Sequence, residues 1–304
     1  MIKETIELNK EGKRRVLVVC GIHGNESQAV KDVYSLKEYF KNLSGMNPNI
    51  WKITFVVANR SGLLANTREY QPDNKSPTSD FNRSFPWKEE AQEKETIVEE
   101  LKEEVKNNDF IIDVHNSPNC IPCVLIDWNG PRFDVICSML KTMPREEMFT
   151  PVIRYSGVDS LKNYANNLGK FGFTVELGGM GFPITNQLGY VRLYNFINFI
   201  VNYPADTSMV PFYYEDTTKH LVSPSVEGII SWEDEEKSLY KKGAPICEIN
   251  SFCGKGHAEI VAPYDCILVS RSDSYYVGKY SVIAEVQPIE KKYFKAWSEK
   301  NEEE

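Results

Sequence analysis

No apolar run in the 304-residue chain approaches the roughly 18 residues that a membrane-spanning helix needs. The opening stretch, Met1 to Glu7, is broken by Lys3, Glu4 and Glu7 and has no apolar core of the signal-peptide kind. A cytoplasmic protein without a membrane partner is therefore expected. Basic charge is also scarce: 35 Lys and Arg stand against 43 Asp and Glu, a net charge of −8. The basic face that nucleic-acid binding requires is missing. A disulfide framework is missing too, because the seven cysteines are odd in number and scattered. Cys120-Ile121-Pro122-Cys123 is the exception. Such a pair can be redox-active where it opens a helix, but here it runs into the strand-like Val124-Leu125-Ile126-Asp127-Trp128. Cys247, Cys253, His257 and Cys266 are metal-capable residue types, yet their spacings match no standard zinc module. What is present, 41% apolar and 26% charged residues, is ordinary for a globular protein. The length suits one large domain or two.

The organising stretch is Val16-Leu17-Val18-Val19-Cys20-Gly21-Ile22-His23-Gly24-Asn25-Glu26. Its apolar run reads as a buried strand. Gly21 and Gly24 then permit a tight turn at the strand's carboxyl end, where sites form in open α/β sheets. His23 and Glu26 on that turn are an imidazole and a carboxylate that suit zinc. Phe110-Ile111-Ile112-Asp113-Val114-His115 is a second apolar run closing on a histidine. Catalytic zinc takes three protein ligands and leaves a position to water, and His23, Glu26 and His115 fit that formula.

Strand, helix and strand follow one another from Val16 to Asn59, with the helix over Ser27–Leu43 and Asn25 as its expected cap. That spacing implies a right-handed crossover in a parallel sheet. Arg60 to Trp87 shows no period and reads as a long functional loop. An amphipathic helix through Ile97, Leu101 and Val105, the strand ending in His115, a strand at 124–127, a helix around 132–142, a strand over 151–156 and a short helix through Leu161, Tyr164 and Leu168 come next. Phe171 to Gly179 is a strand that delivers Glu176 to its end, and Tyr190–Tyr203 is an apolar helix. Beyond Pro204 the pattern turns to short strands and Gly turns up to about residue 290, an all-β domain, followed by a charged tail expected to fray.

A hydrolytic metal needs a general base beside it, and Glu176 is the strand-end carboxylate placed for that work. Arg68 and Arg83, in the long loop, are the cations able to meet a developing oxyanion or grip a substrate carboxylate.

Four motifs carry a family resemblance: Gly21-Ile22-His23-Gly24-Asn25-Glu26, Asp80-Phe81-Asn82-Arg83-Ser84-Phe85, Asp113-Val114-His115-Asn116 and Thr174-Val175-Glu176-Leu177-Gly178. Together they resemble the succinylglutamate desuccinylase/aspartoacylase family, deacylases related in fold to zinc carboxypeptidases. The resemblance implies a mixed, mostly parallel central sheet with flanking helices over residues 1–205. It implies a small all-β domain over 206–304 with a barrel similar to biotinyl-lipoyl domains. The turn Ala262-Pro263-Tyr264-Asp265-Cys266 lacks the lysine such domains modify, so no attached cofactor is expected. The resemblance further implies one Zn²⁺ per chain on His23, Glu26 and His115, with Glu176 as acid and base and Arg68 steadying the tetrahedral intermediate. Asn82 and Arg83, with Asp80 beside them, would bind the substrate's carboxylate, and Tyr164 would line the pocket. Two features depart from the family's pattern. The loop from Arg68 to Asp80 is longer than in aspartoacylase, and Leu161–Asn167 lacks the arginine that recognises aspartoacylase's substrate.

The expected activity is zinc-dependent hydrolysis of the amide of an N-acyl amino acid or similar small acylated amine carrying a carboxylate. The alternatives are a metallocarboxypeptidase acting on a peptide or cell-wall fragment, a binding protein that lost turnover, and a redox role for Cys120 and Cys123. The acyl group, the amine half, the choice of zinc over another divalent ion and the step from monomer to homo-oligomer are left open.

Overall fold

The computed structural model describes residues 1–42, 48–69, 80–83, 85, 92–117, 122–127, 135–136, 139, 149–154, 159–178, 189–203, 219–222, 226–233, 239–251, 256–271, 276–277 and 282–288. The chain divides into two compact units. The first is Met1–Ser117, Pro122–Leu177 and Gln187–Tyr214; the second is Pro118–Ile121, Gly178–Asn186 and Glu215–Glu304.

The first unit is built on a seven-stranded sheet. Its strands are β1 (Ile2–Glu7), β2 (Arg14–Cys20), β3 (Ile50–Val57), β4 (Phe110–His115), β5 (Cys123–Asp127), β6 (Thr150–Arg154) and β7 (Phe171–Glu176), in the order β1-β3-β2-β4-β7-β5-β6. The pairs β2/β3, β2/β4, β4/β7 and β5/β6 are parallel. The pairs β1/β3 and β5/β7 are antiparallel. Seven residues separate β4 from β5, too few for the dozen or so that a parallel crossover needs. So β5 runs back along β7 rather than with it.

The central strand β2 is closed to solvent on both faces from Val16 to Cys20, as a covered parallel sheet requires. Alternate residues feed two cores. Val16, Val18, Cys20, Ile112, Val114 and Phe173 pack with helix α1 (Ser27–Asn42), through Ala29, Val33, Leu36 and Phe40, and with an apolar helix over Gly189–Asn202. Leu17, Val19 and Ile111 pack on the other face with Val98, Leu101 and Val105 of a helix over Gln92–Lys106 and with Leu161 and Ala165 of one over Leu161–Asn167. In chain order these helices are α5, α3 and α4, with α2 (Arg60–Ala65) preceding them.

α2 departs from the aperiodic loop expected over Arg60–Trp87. Its six residues are too few for a period. The ends make it: the Asn59 side chain accepts the Gly62 amide at 2.9 Å, and Asn66 closes it in the left-handed region at φ 53°. Among the described residues a 3₁₀ turn, Phe81–Arg83, is the other element there. The residues between Glu69 and Asp80, Cys120, Cys253, the end of the strand expected to reach Ser156 and the charged tail lie outside the described residues. So does most of the helix expected over 132–142, of which Ile136 and Met139 are buried.

The second unit holds two antiparallel four-stranded sheets. They combine β8 (Lys219–Val222), β9 (Gly228–Trp232), β10 (Leu239–Tyr240), β11 (Pro245–Asn250), β12 (His257–Val261), β13 (Cys266–Arg271), β14 (Tyr276–Val277) and β15 (Val282–Pro288) in the orders β10-β13-β15-β8 and β12-β11-β9-β14. Leu221 and Trp232 pack against both of this unit's apolar clusters, each of which draws residues from both sheets.

Sheet order fixes where chemistry can sit. β3 and β4 lie on opposite sides of β2, so the chain changes direction of winding beside β2. That is the crevice at which open α/β sheets place their sites.

Candidate metal centre

Three strand ends meet at this crevice. β2 ends at Cys20, and Gly21 turns the chain at φ 61°, a conformation in which a side chain is strained. The turn is then held against α2. Gly24 donates its amide to the Arg68 carbonyl at 3.3 Å, and a Cβ on Gly24 would lie only 2.0 Å from the Gly62 carbonyl carbon. This backbone contact fixes His23 and Glu26 over the end of the sheet. On β4, Asp113 and His115 share a face because strand side chains alternate. On β7, Glu176 stands in register with His115.

His23, Glu26 and His115 are all buried, and their ligating atoms lie within 4.8 Å of one another. Among the described residues they form the only such cluster. His23 Nδ1 is 2.8 Å from Glu26 Oε1 and His115 Nδ1 is 2.9 Å from Glu26 Oε2. The two Nδ1 atoms are 3.1 Å apart. Each imidazole turns its other nitrogen to a carboxylate: His23 Nε2 lies 3.0 Å from Asp80 Oδ1, and His115 Nε2 lies 2.9 Å from Asp113 Oδ2. A carboxylate accepts, so each Nε2 carries hydrogen and each Nδ1 faces the centre. This is the arrangement by which outer carboxylates fix the tautomer of metal-bound histidines. Two imidazoles and a carboxylate, converging on one point and backed in this way, fit a divalent transition metal such as zinc.

Electrostatics agree with that fit. Burial opposes a charged imidazole at both histidines, yet the carboxylates outweigh it. Asp80 and Glu26 raise the pKa of His23, and Asp113 and Glu26 raise that of His115 well above the ordinary value. Burial alone would raise Glu26, but His115 and His23 hold its carboxyl well below the usual range. Asp80 is likewise depressed, against burial, by His23 and then by Arg68.

The remaining expected residues fall into two groups. Glu176 stands beside His115 in the sheet, Arg68 contacts Glu26 and Asp80, and Arg83 faces solvent. Glu176 is 8% exposed, and its Oε2 accepts the Ser117 amide at 3.0 Å. Asn116 donates its amide to Glu26 Oε2 at 3.2 Å, so successive amides beyond β4 hold both carboxylates. Arg68 is exposed, with Nη2 3.2 Å from Asp80 Oδ2 and Nη1 3.7 Å from Glu26 Oε1. Arg83 is exposed, and its Nη1 donates to the Asn82 carbonyl at 2.9 Å.

Asp80, Asn82 and Tyr164, expected at the substrate, have protein groups as their neighbours here. Asp80 backs His23. The Asn82 side chain is drawn inward, 5% exposed, with Nδ2 on Asp113 Oδ2 at 3.0 Å and Oδ1 accepting the Leu161 amide at 3.1 Å. Tyr164 packs into the α3 side of the core, its ring 6.1 Å from Phe85 and 5.8 Å from Lys102 Nζ. For Asp80 and Asn82 the reason is the same. A loop motif reveals polar residue types, but buried polar atoms must find partners, and here the partners are protein groups. Asp113 was overlooked as a functional residue. Its signal is an aspartate two residues before a histidine in an otherwise apolar strand, hence on the same face.

Cys123, from the C-x-P-C pair, is buried and not in a disulfide; it stands opposite Glu176 in the β5/β7 pairing. Cys247 and Cys266 are also buried and outside any disulfide, and burial pushes both thiols up to about 12.

The comparisons with known proteins agree with this geometry. The family model of the succinylglutamate desuccinylase/aspartoacylase catalytic domain matches residues 12–192, more than half of the chain. A direct sequence comparison with curated proteins finds no match. Among solved structures, a succinylglutamate desuccinylase from a Silicibacter species is similar at a TM-score of 0.70 and 15% identity, over 95% of this chain and 88% of that one. An aspartoacylase family protein from Mesorhizobium loti is similar at 0.69 and 17%, over 95% and 89%. The product-bound ectoine utilization protein from Ruegeria pomeroyi is similar at 0.67 and 16%, over 94% and 88%. At these identities the likeness is one of fold. The matched span contains all four motifs and each residue of the metal centre, and the chain belongs to the succinylglutamate desuccinylase/aspartoacylase family.

Proposed function

We propose that the chain is a zinc-dependent amidohydrolase that removes the acyl group from a small N-acyl amino acid. The observation that carries this reading is the convergence of His23 Nδ1, His115 Nδ1 and Glu26, each imidazole backed by a carboxylate. His23, Glu26 and His115 would hold the metal, which when bound would supply a water of lowered pKa and polarise the acyl carbonyl. Glu176 is the base and then the acid. Its Oε2 is engaged by the Ser117 amide, so Oε1 takes the proton of the attacking water and returns it to the leaving nitrogen. Arg68 stands with its guanidinium over Glu26 and Asp80 and supplies the cation for the developing oxyanion. Arg83, exposed at the rim, grips the carboxylate of the amino-acid half.

Family membership supports deacylase chemistry, and the missing arginine in α4 leaves the acyl group unassigned. We read the first unit as the catalytic domain and the second as a separate β domain. Among the described residues no helix is long and apolar enough to cross a membrane. Four buried cysteines there are outside any disulfide, which accords with a cytoplasmic location.

The test is a panel of N-acyl amino acids and short peptides assayed with the zinc-supplemented protein and with Glu176→Ala. Hydrolysis of an N-acyl amino acid, lost by two or more orders of magnitude in Glu176→Ala with zinc still bound, is the expected result. Cleavage of peptides alone would move the assignment to a carboxypeptidase. Undiminished activity in Glu176→Ala would overturn the mechanism.

A further inference from the structure

We infer that the free edge of β1 pairs with the same edge of a second copy of this chain, antiparallel about a two-fold axis at Thr5. The inference stands apart from the zinc reading. β1 is the end strand of the seven-stranded sheet, and its pairing partner among the described residues is β3. Its outer side is open to solvent: Lys3, Thr5 and Glu7 are exposed, and Ile2 is 53% exposed. A groove lined by Met1, Lys3, Thr96, Glu99 and Glu103 opens beside it. Such an edge offers its outward amides and carbonyls to another strand.

The register with β3 identifies those groups. Glu7 stands opposite Lys52, and the next residue, Leu8, donates its amide to the Trp51 carbonyl at 2.9 Å. Backbone groups alternate in direction along an antiparallel strand. Those of Ile2, Glu4 and Ile6 therefore turn to β3, and those of Lys3, Thr5 and Glu7 turn outward. The opposed Thr5 and Thr54 agree with this parity. Their hydroxyls are 3.1 Å apart, the close side-chain approach of a pair that exchanges no backbone bonds. An incoming strand must set its own outward residues against Lys3, Thr5 and Glu7.

For an antiparallel copy, few registers satisfy this. Those centred on Lys3 or on Glu7 oppose like charges, and those centred on Glu4 or Ile6 set a charge against Thr5. The register centred on Thr5 places Lys3 opposite the copy's Glu7, and symmetry repeats the pair. All three outward residues of each strand then exchange backbone bonds. On the other face Ile2 falls opposite the copy's Leu8. Glu4 falls opposite the copy's Ile6, but its carboxylate is already met by Lys37 at 2.8 Å and Lys41 at 2.6 Å. Lys3 lies 2.7 Å from Glu104, yet its side chain remains 46% exposed, which leaves donors for a second carboxylate. Charges on an edge strand ordinarily discourage pairing. Here their order is complementary to itself in reverse, as an isologous interface requires, and opposite charges across strands are stabilising.

The experiment is sedimentation velocity of the full chain from about 1 to about 100 µM, a range that registers dimers of moderate affinity. The wild type is expected to dimerise reversibly. Lys3→Glu and Glu7→Lys, each alone, should weaken the dimer by at least about tenfold, because both opposed pairs become like charges. An equal mixture of the two variants should dimerise again, since one copy then opposes two acids to the other's two bases. A mere local disturbance of β1 would not be rescued in this way. Thr5→Pro removes an outward amide and no backbone bond to β3. It should also abolish the dimer, and it decides the matter if melting shows that a charge variant does not fold. A wild type that is monomeric throughout, single variants that dimerise like wild type, or a mixture no more dimeric than its components overturns the inference.

Discussion

Gly24→Ala is the smallest change that should dismantle the site without touching a functional group. The added Cβ would lie 2.0 Å from the Gly62 carbonyl carbon, 2.4 Å from its oxygen and 2.5 Å from its Cα. Carbon atoms rest at about 3.5–4.0 Å, so the turn and α2 must separate by more than about 1 Å. Neither side yields easily. Gly62 is held by the Asn59 cap, and Asn59, fully buried, also donates to the Ile22 carbonyl within the same turn. Overpacking of this kind costs about 1–3 kcal/mol. The shift also falls on the segment carrying His23 and Glu26, and a 1 Å misplacement at a catalytic centre can lower the rate by about 100-fold. The assay is thermal melting, zinc content and turnover of the purified variant. Gly169→Ala is the control, since its φ is 71° but nothing lies within 4 Å of the added Cβ. It should lose about 1–2 kcal/mol from backbone strain and keep both zinc and activity. A Gly24→Ala protein that melts like wild type and retains full zinc and turnover would refute the reasoning.

Asp113→Asn should lower zinc affinity by about 10–100-fold, because the oxygen facing His115 Nε2 loses its charge; chelator competition reads this, and an unchanged affinity would remove Asp113 from the centre. Zinc binding should also strengthen with rising pH. Both histidines hold their protons above the ordinary value of 6.5, and the metal takes only the deprotonated imidazole. By the same sign, the stability these protons lend the metal-free protein is complete below the unfolded value and is lost as pH climbs through the raised values. Calorimetry in buffers of differing ionisation enthalpy should register proton release on zinc binding, whereas a pH-independent affinity would contradict ligation by the two imidazoles.

The fold was legible wherever an apolar run met a glycine or a polar turn. Val16–Cys20, Phe110–His115 and Phe171–Glu176 announce themselves as buried strands, and His23, Glu26, His115 and Glu176 lie at or just beyond their ends. α2 was not legible because six residues carry no period and its ends depend on the caps Asn59 and Asn66. The reversal of β5 was readable in principle from the short link after Ser117, yet its partner, β7, lies some fifty residues further along the chain. Within the site, residue types were readable and partners were not. Asp80, Asn82 and Arg83 sit in one motif. One backs a histidine, one is buried between Asp113 and α4, and one faces solvent. That sorting depends on the 3₁₀ turn Phe81–Arg83, which points neighbours in different directions. Tyr164 followed the apolar stripe of α4 into the core for the same reason that Leu161 and Ala165 did.

The measurement that tests the central claim most directly is zinc content by elemental analysis of wild type and His23→Ala prepared side by side. The account predicts about one zinc per chain in the wild type and almost none in the variant, since only two of three ligands would remain. A wild type that contains no zinc and takes up none on dialysis against it would contradict the account.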